Sequence, residues 1–258
     1  MRRLAPTGPE LTDDQLAALR RPPALAVGAP WVRLVFISSA DGSAALDGAS
    51  GGLGSPADQR QFQLARRDAD VILVGAGTVR AEGYEGALLS PQAQAWRVAE
   101  GRSPHAPVAV VSGRLDLDPE AGVLRDAPVR PWILTTAASL AAKPDLSAAL
   151  RRRADVVAVG EDDVDPHALV RALADRGARV VHGEGGPGLF GTLAAAGLVD
   201  ELLLTVSPLL AGGDGPRILT GGAGPGLPAG LRLDLAVQDG SMLFLRYLHE
   251  RHVGTGTP

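Results

Sequence analysis

A chain of 258 residues with 45% hydrophobic content can bury a substantial core as one domain with extensions. Its net charge of −4, with no basic block, argues against a nucleic-acid partner. Cysteine is absent, which excludes disulfides, thiolate nucleophiles and cysteine-ligated zinc and fits a reducing cytoplasm; no apolar run approaches the ~18 residues of a membrane span, and the first residues hold no apolar secretion core.

Thr12-Asp13-Asp14-Gln15 matches a capping box and predicts a short helix over 12–20, ended by Arg21-Pro22-Pro23. An extended arm is expected to lead on to Trp31, so that residues 1–30 form an N-terminal arm. Strands are predicted over 32–38, 71–74, 108–111, 132–135, 156–159, 179–182 and 202–206. Helices fit between most of them, over 56–67, 78–82, 91–99, 146–153, 166–176 and 187–196. Pro56, Pro166 and Pro187 stand where first-turn prolines belong. Such alternation implies an α/β layered domain with a mostly parallel sheet. The end differs: 231–237 and 242–248 flank Asp239-Gly240, a hairpin signal that makes the sheet mixed. One domain is expected over 31–248, followed by a loose tail over 249–258.

Three stretches carry candidate chemistry. Val71-Ile72-Leu73-Val74 runs into Gly75-Ala76-Gly77, after which Thr78 is expected to cap a helix; bare N–H groups at a helix start suit an anion. His182-Gly183-Glu184-Gly185-Gly186-Pro187-Gly188-Leu189-Phe190-Gly191-Thr192 repeats the arrangement, and Gly186, Gly188 and Gly191 match G-x-G-x-x-G. It lies late in the chain and lacks the acidic residue of a Rossmann unit, so only its phosphate-binding physics carries over. Glu184 leaves a strand end among glycines, where it either faces a polar substrate or complements a helix dipole. The third stretch is Ser38-Ser39-Ala40-Asp41-Gly42, continuing to the glycine-rich segment at Ser50. Asp41 is there a turn former or a proton-handling carboxylate. The five histidines show no metal-ligand spacing, so no metal is expected.

"SSADG", "GSPADQRQFQLARRDADVILVGAGTVRAEGY" and "GEGGPGLFGTLAAAGLVDELLLTVSPLLAGG" resemble the reductase part of the riboflavin-biosynthesis pyrimidine deaminase/reductase family, over nearly the whole domain. The resemblance implies a three-layer dihydrofolate-reductase-like fold and NADPH-dependent reduction of 5-amino-6-(5-phosphoribosylamino)uracil to its ribityl product. It implies cofactor contacts at Gly75, Gly77, Thr78 and Glu82, at Ser112 and Arg114, and at Gly185, Gly186, Pro187, Gly188, Leu189, Phe190, Gly191 and Thr192. Arg80 is a second cationic candidate for the 2′-phosphate of the cofactor. Ser50, Arg66 and Glu184 match substrate contacts, with Arg66 a partner for the substrate phosphate. Asp41 and Glu184 are the carboxylates available for proton transfer, with water as an alternative. The family also favours a homodimer.

The chain departs from that pattern at Gly52, where some relatives carry tryptophan, and over 85–89, which lacks an expected substrate-side arginine. The zinc deaminase signatures are missing, and a chain without cysteine cannot supply them. The departures leave room for a dihydrofolate- or pteridine-type reductase, and a non-catalytic NADPH-binding protein is the alternative outside enzymes.

Overall fold

The computed structural model describes residues 10–22, 29–222 and 224–252. Nine strands form one sheet in the order β5-β4-β3-β2-β6-β1-β7-β9-β8. They are β1 (Trp31–Ser39), β2 (Val71–Gly75), β3 (Val108–Val111), β4 (Trp132–Thr135), β5 (Asp155–Ala158), β6 (Val180–Gly183), β7 (Glu201–Ser207), β8 (Leu231–Asp239) and β9 (Met242–His249). All pairings from β5 to β7 are parallel, and β9 and β8 close one edge antiparallel. The expected mixed α/β architecture is therefore present.

The helices are α1 (Asp13–Leu19), α2 (Pro56–Arg66), α3 (Ala76–Glu82), α4 (Pro91–Ala99), α5 (Gly122–Arg125), α6 (Ala137–Ala142), α7 (Pro144–Arg153), α8 (Pro166–Ala174) and α9 (Pro187–Ala195). The capping box of α1 forms in full: Thr12 Oγ1 accepts from Gln15 N–H, and Gln15 Oε1 accepts from Thr12 N–H. Pro56, Pro166 and Pro187 open α2, α8 and α9 as the sequence requires. The sequence reading misses α5 and α6, which are one turn and a short alanine-rich segment.

On one face of the sheet, Leu34, Leu73, Ala109 and Val181 pack against Leu169 and Leu173 of α8 and against Phe190 and Leu193 of α9. On the other face, Val74, Val110 and Ile133 meet α3, α5 and α7. Each fully buried leucine in these layers contributes roughly 1.5–3 kcal/mol.

The second face also buries charge. Glu201 accepts from Trp31 Nε1 at 2.6 Å, Arg33 Nε at 3.1 Å and Arg246 Nε at 2.8 Å. Burial opposes the charge on Arg33, but Asp68 and then Glu201 outweigh it and hold the guanidinium firmly protonated. Other donors of the two arginines reach the C-terminal carbonyls of α1. Arg33 bonds Arg20 O, while Arg246 bonds Leu19 O and Arg21 O.

The structure corrects one expectation about the ends. His249 completes β9, and His252 packs on Trp31 and bonds Asp200 at 2.6 Å, so the chain is not a loose tail from 249. Residues 253–258, and the expected extended arm over 23–28, lie outside the described residues.

Candidate active site

β6 inserts between β2 and β1, so the chain direction across the sheet reverses there. Such a reversal opens a crevice beyond the carboxyl ends of parallel strands. A cleft of about 1200 Å³ lies there, lined from β1, β2, β3, β7, β9 and the loop after β6 and walled by α2 and α3.

The two glycine loops meet in its floor. Gly75 N–H bonds Gly185 O at 2.9 Å, and a Cβ on Gly75 would stand 3.6 Å from Gly186 N. Thr78 Oγ1 lies 3.2 Å from the Cβ position of Gly185, whose φ of +134° excludes most side chains. Gly77 and Gly188 have nothing within 4 Å of a Cβ, so their backbone faces open space. The Gly185–Gly186 peptide is cis.

Three sequence expectations change here. Thr78 does not cap α3, because the helix already starts at Ala76 behind Gly75, and Thr78 packs on the second loop instead. Phe190 is 4% exposed and stacks edge-on against Phe36 at 3.9 Å, so it belongs to the core and not to the cleft. Gly191 is buried as well: a Cβ there would overlap the Thr220 carbonyl, so the third glycine of the motif serves packing against the 220–222 turn. Pro187, Gly188, Leu189 and Thr192 do line the cleft.

At one end, Ser112 and Arg114 follow β3, with Arg80 opposite. Ser112 Oγ accepts from Asp116 N–H, and Arg80 bonds Asp116 O at 2.7 Å. The guanidinium of Arg114 is exposed and makes no hydrogen bond among the described residues. Glu82 accepts from Ser50 N–H at 2.8 Å, so these two expected contact residues form one bridge across the rim.

At the other end, Glu184 is fully buried. Arg66 grips it with Nε at 2.5 Å and Nη2 at 2.7 Å, and Tyr84 donates its hydroxyl at 2.7 Å. Burial pushes the Glu184 carboxyl up, but the Arg66 guanidinium overrides it and holds the group at about 2. The Tyr84 hydroxyl is pushed well above the usual phenol range, by burial first and Glu184 second. His182 Nε2 lies 3.2 Å from Glu184 Oε1, yet the approach is poorly aligned, and neither ring nitrogen has a hydrogen-bond partner among the described residues. The third donor nitrogen of Arg66 bonds Leu88 O at 2.6 Å. Arg66 therefore fixes Glu184, a partnership that spacing in the sequence does not reveal.

Asp41 is the clearest correction. It is exposed, outside the cleft, and accepts from Ser39 Oγ at 2.5 Å, Ala211 N–H at 3.0 Å and Gly212 N–H at 2.7 Å. The Ser39 hydroxyl, then those two amides, hold its carboxyl at about 2. It ties the turn after β1 to the 209–212 loop, as an Asp-Gly turn residue does.

Three cleft residues were missed. Tyr84 follows Gly83, whose φ of +63° ends α3; a tyrosine at that stop was the available signal. Asp58 reads in sequence as an ordinary first-turn carboxylate of α2. Arg20 arrives from α1 and is 6% exposed; burial, with Arg33 second, lowers it to about 10, and its side chain has no hydrogen bond among the described residues.

The sequence profile of the RibD C-terminal domain matches residues 30–242. The chain is 31% identical over 195 residues to the 2,5-diamino-6-ribosylamino-4(3H)-pyrimidinone 5′-phosphate reductase of Methanothermobacter thermautotrophicus, covering 76% of this chain and 85% of that one. It is 34% identical over 188 residues to the riboflavin biosynthesis protein RibD of Mycobacterium tuberculosis, 72% of this chain but only 44% of that protein. Among solved structures, a pyrimidine reductase-like protein from Corynebacterium diphtheriae superposes with a TM-score of 0.81 at 24% identity, covering 93% and 99% of the two chains.

Proposed function

This chain belongs to the RibD C-terminal domain family, and from that membership we propose that it reduces 5-amino-6-(5-phosphoribosylamino)uracil to the ribitylamino product with NADPH. The observation that carries the reading is the meeting of two glycine loops in the floor of one cleft that ends in a buried carboxylate.

The residues present fit a nicotinamide dinucleotide. Gly77 and Gly188 leave backbone free of side chains, as a diphosphate requires, and Gly188 lies in the first turn of α9, at the positive end of its dipole. Gly75, Gly77, Thr78, Gly185, Gly186, Pro187, Gly188, Leu189 and Thr192 would hold it, and Ser112, Arg114 and Arg80 offer donors and positive charge for a 2′-phosphate. Bound there, the cofactor supplies hydride. Ser50 and Glu82 close the rim.

Glu184, kept ionised by Arg66 and oriented by Tyr84, is an acceptor for N–H or O–H groups of the substrate and not a proton donor near neutral pH. Arg66 acts through it as a positioning residue. Arg20, still charged at neutral pH, takes over the expected role of facing the substrate phosphate. A homodimer would cover Leu231, Leu233 and Leu243, which are exposed on the edge hairpin, and a cytoplasmic location fits a chain without cysteine. No described helix is long and apolar enough to cross a membrane, and no described residues cluster as metal ligands.

The test is loss of the reduced-nicotinamide absorbance with the ribosylaminouracil phosphate, its 2-amino counterpart and dihydrofolate in parallel, with NADPH and NADH. Turnover of dihydrofolate alone would transfer the reading to a folate-type reductase. Saturable NADPH binding without turnover of any of them would leave a binding protein.

A further inference from the structure

Reduction at a ribosylamine carbon consumes one hydride and one proton, and the cleft holds few groups able to give the proton. Glu184 is locked as an anion by Arg66. Asp41 lies outside the cleft, and Tyr84 holds its proton against burial and the Glu184 charge. Glu82, Glu85 and Asp116 are exposed at the rim, with Glu82 engaged by Ser50 N–H and Asp116 by Arg80.

Asp58 differs from all of these. It stands in the first turn of α2, on the helix face that also turns Gln61, Phe62 and Ala65 toward the cleft. Its carboxyl stands near the Thr205 hydroxyl on β7, and one carboxyl oxygen lies against Gly54, 3.3 Å from where a Cβ would be. Beside Thr205 on the sheet, Val35, Leu203 and Phe244 also line the cleft. Burial raises this carboxyl above its ordinary value, with the Thr205 hydroxyl opposing. The charged and titratable groups on the elements around it are Arg60 (paired with Asp13) and Arg66 (spent on Glu184) on α2, Arg33 on β1, Glu201 on β7, Arg246 and His249 on β9, and Arg20 beyond α1; none contributes to the shift. Asp58 is thus displaced toward its neutral form, whereas Glu184 is held ionised.

We propose that Asp58 is the acid that protonates the ribose ring oxygen during the reduction. This rests on the function proposed above. The Asp58 proton passes to O4′ as the C1′–O4′ bond breaks, with the bonding pair leaving on oxygen. The lone pair of the attached nitrogen forms a C1′=N iminium, which hydride from the reduced nicotinamide converts to the C1′–H amine. Asp58, left as carboxylate, regains a proton from water. One hydride and one proton are consumed, and charge balances. The first turn of α2 and the Gly54 backbone fix where the carboxyl stands, and burial disfavours its ionisation until the substrate oxygen accepts the proton.

The test compares the parent with Asp58→Asn and Asp58→Glu. The parent should show an infrared carboxylic-acid carbonyl band, without cofactor or substrate, at pH values where a solvated aspartate is ionised; Asp58→Asn should lack it. Asp58→Asn should lower kcat on the order of 10²-fold, keep NADPH affinity within about twofold, and lose the decline of kcat as pH rises through the Asp58 pKa. Asp58→Glu should restore part of the turnover. Because a buried carboxylate opposes folding, Asp58→Asn should not lower the Tm at neutral pH, a result that a stabilising helix-start carboxylate would not give. A parent that turns over the ribosylaminopyrimidine while Asp58→Asn matches it, or a missing carbonyl band, overturns the acid assignment alone. A parent that turns over no ribosylaminopyrimidine overturns the function and this proposal together.

Discussion

Arg66→Met tests the central ion pair with little change of shape, because methionine keeps an unbranched apolar stem. The variant leaves Glu184 as a charge with no exposed side-chain surface and no counter-ion. Removing one partner of such a pair costs about 3–5 kcal/mol, a large share of the stability of a typical domain. The acid limb gives a second measure. The Glu184 pKa is lowered from 4.5 to about 2, so its stabilisation is complete above the unfolded value and is lost as pH falls from about 4.5 toward 2. At 1.36 kcal/mol per unit, the pair then contributes about 3 kcal/mol at neutral pH, in line with the first figure. Urea unfolding at neutral pH and again near pH 3 should show a large loss in Arg66→Met that shrinks on acidification, as Glu184 takes a proton. The double variant Arg66→Met, Glu184→Gln should recover most of the loss, since the neutral amide still accepts from Tyr84. Single variants that each cost under ~1 kcal/mol, the range of a solvated pair, would refute the claim that this site is dry and tightly coupled.

Gly188→Asp adds a carboxylate where a Cβ meets nothing within 4 Å; the protein should keep its Tm while NADPH affinity, read by fluorescence titration, falls at least tenfold, roughly 1.4 kcal/mol. Normal affinity would remove the second loop from the cofactor site. Arg114→Ala should weaken NADPH and spare NADH, narrowing the preference by about tenfold for a lost ~1.5 kcal/mol contact; equal losses for both cofactors would contradict the 2′-phosphate assignment. Asp41→Asn should leave kcat within a few-fold of the parent and expose the 209–212 loop to limited proteolysis. Collapse of turnover with that loop still protected would return Asp41 to the chemistry.

Strands and helix starts were readable because their signals are local. The apolar run at 71–74 and the prolines at 56, 166 and 187 fix elements within a residue or two. The short helix α6 has Thr136 as its cap, but no buried residue marks a hydrophobic stripe, so periodicity passed over it. The site was half legible. Its loops have small-residue signatures, whereas its electrostatics depend on partners far apart in the chain. Arg66 meets Glu184 across 118 residues, and no spacing rule connects them. Asp41 and Asp58 look alike in sequence, each in a polar turn or first helical turn. What separates them is the wall each faces: backbone amides and solvent for Asp41, a half-buried wall with the Thr205 hydroxyl for Asp58.

The clamp on α1 bears on the order in which the protein assembles during synthesis. α1 leaves the ribosome before any of the nine strands, yet the carbonyls of Leu19 and Arg21 wait for Arg246, 227 and 225 residues later. Its docking therefore carries high contact order, while the β2–β5 half, built from neighbouring segments, can form early. A nascent chain stopped before β9 would have its two glycine loops in place and its first helix held by Arg33 but not by Arg246. The clamp around Arg20 would then be half closed, so the cofactor half of the site would mature before the substrate half.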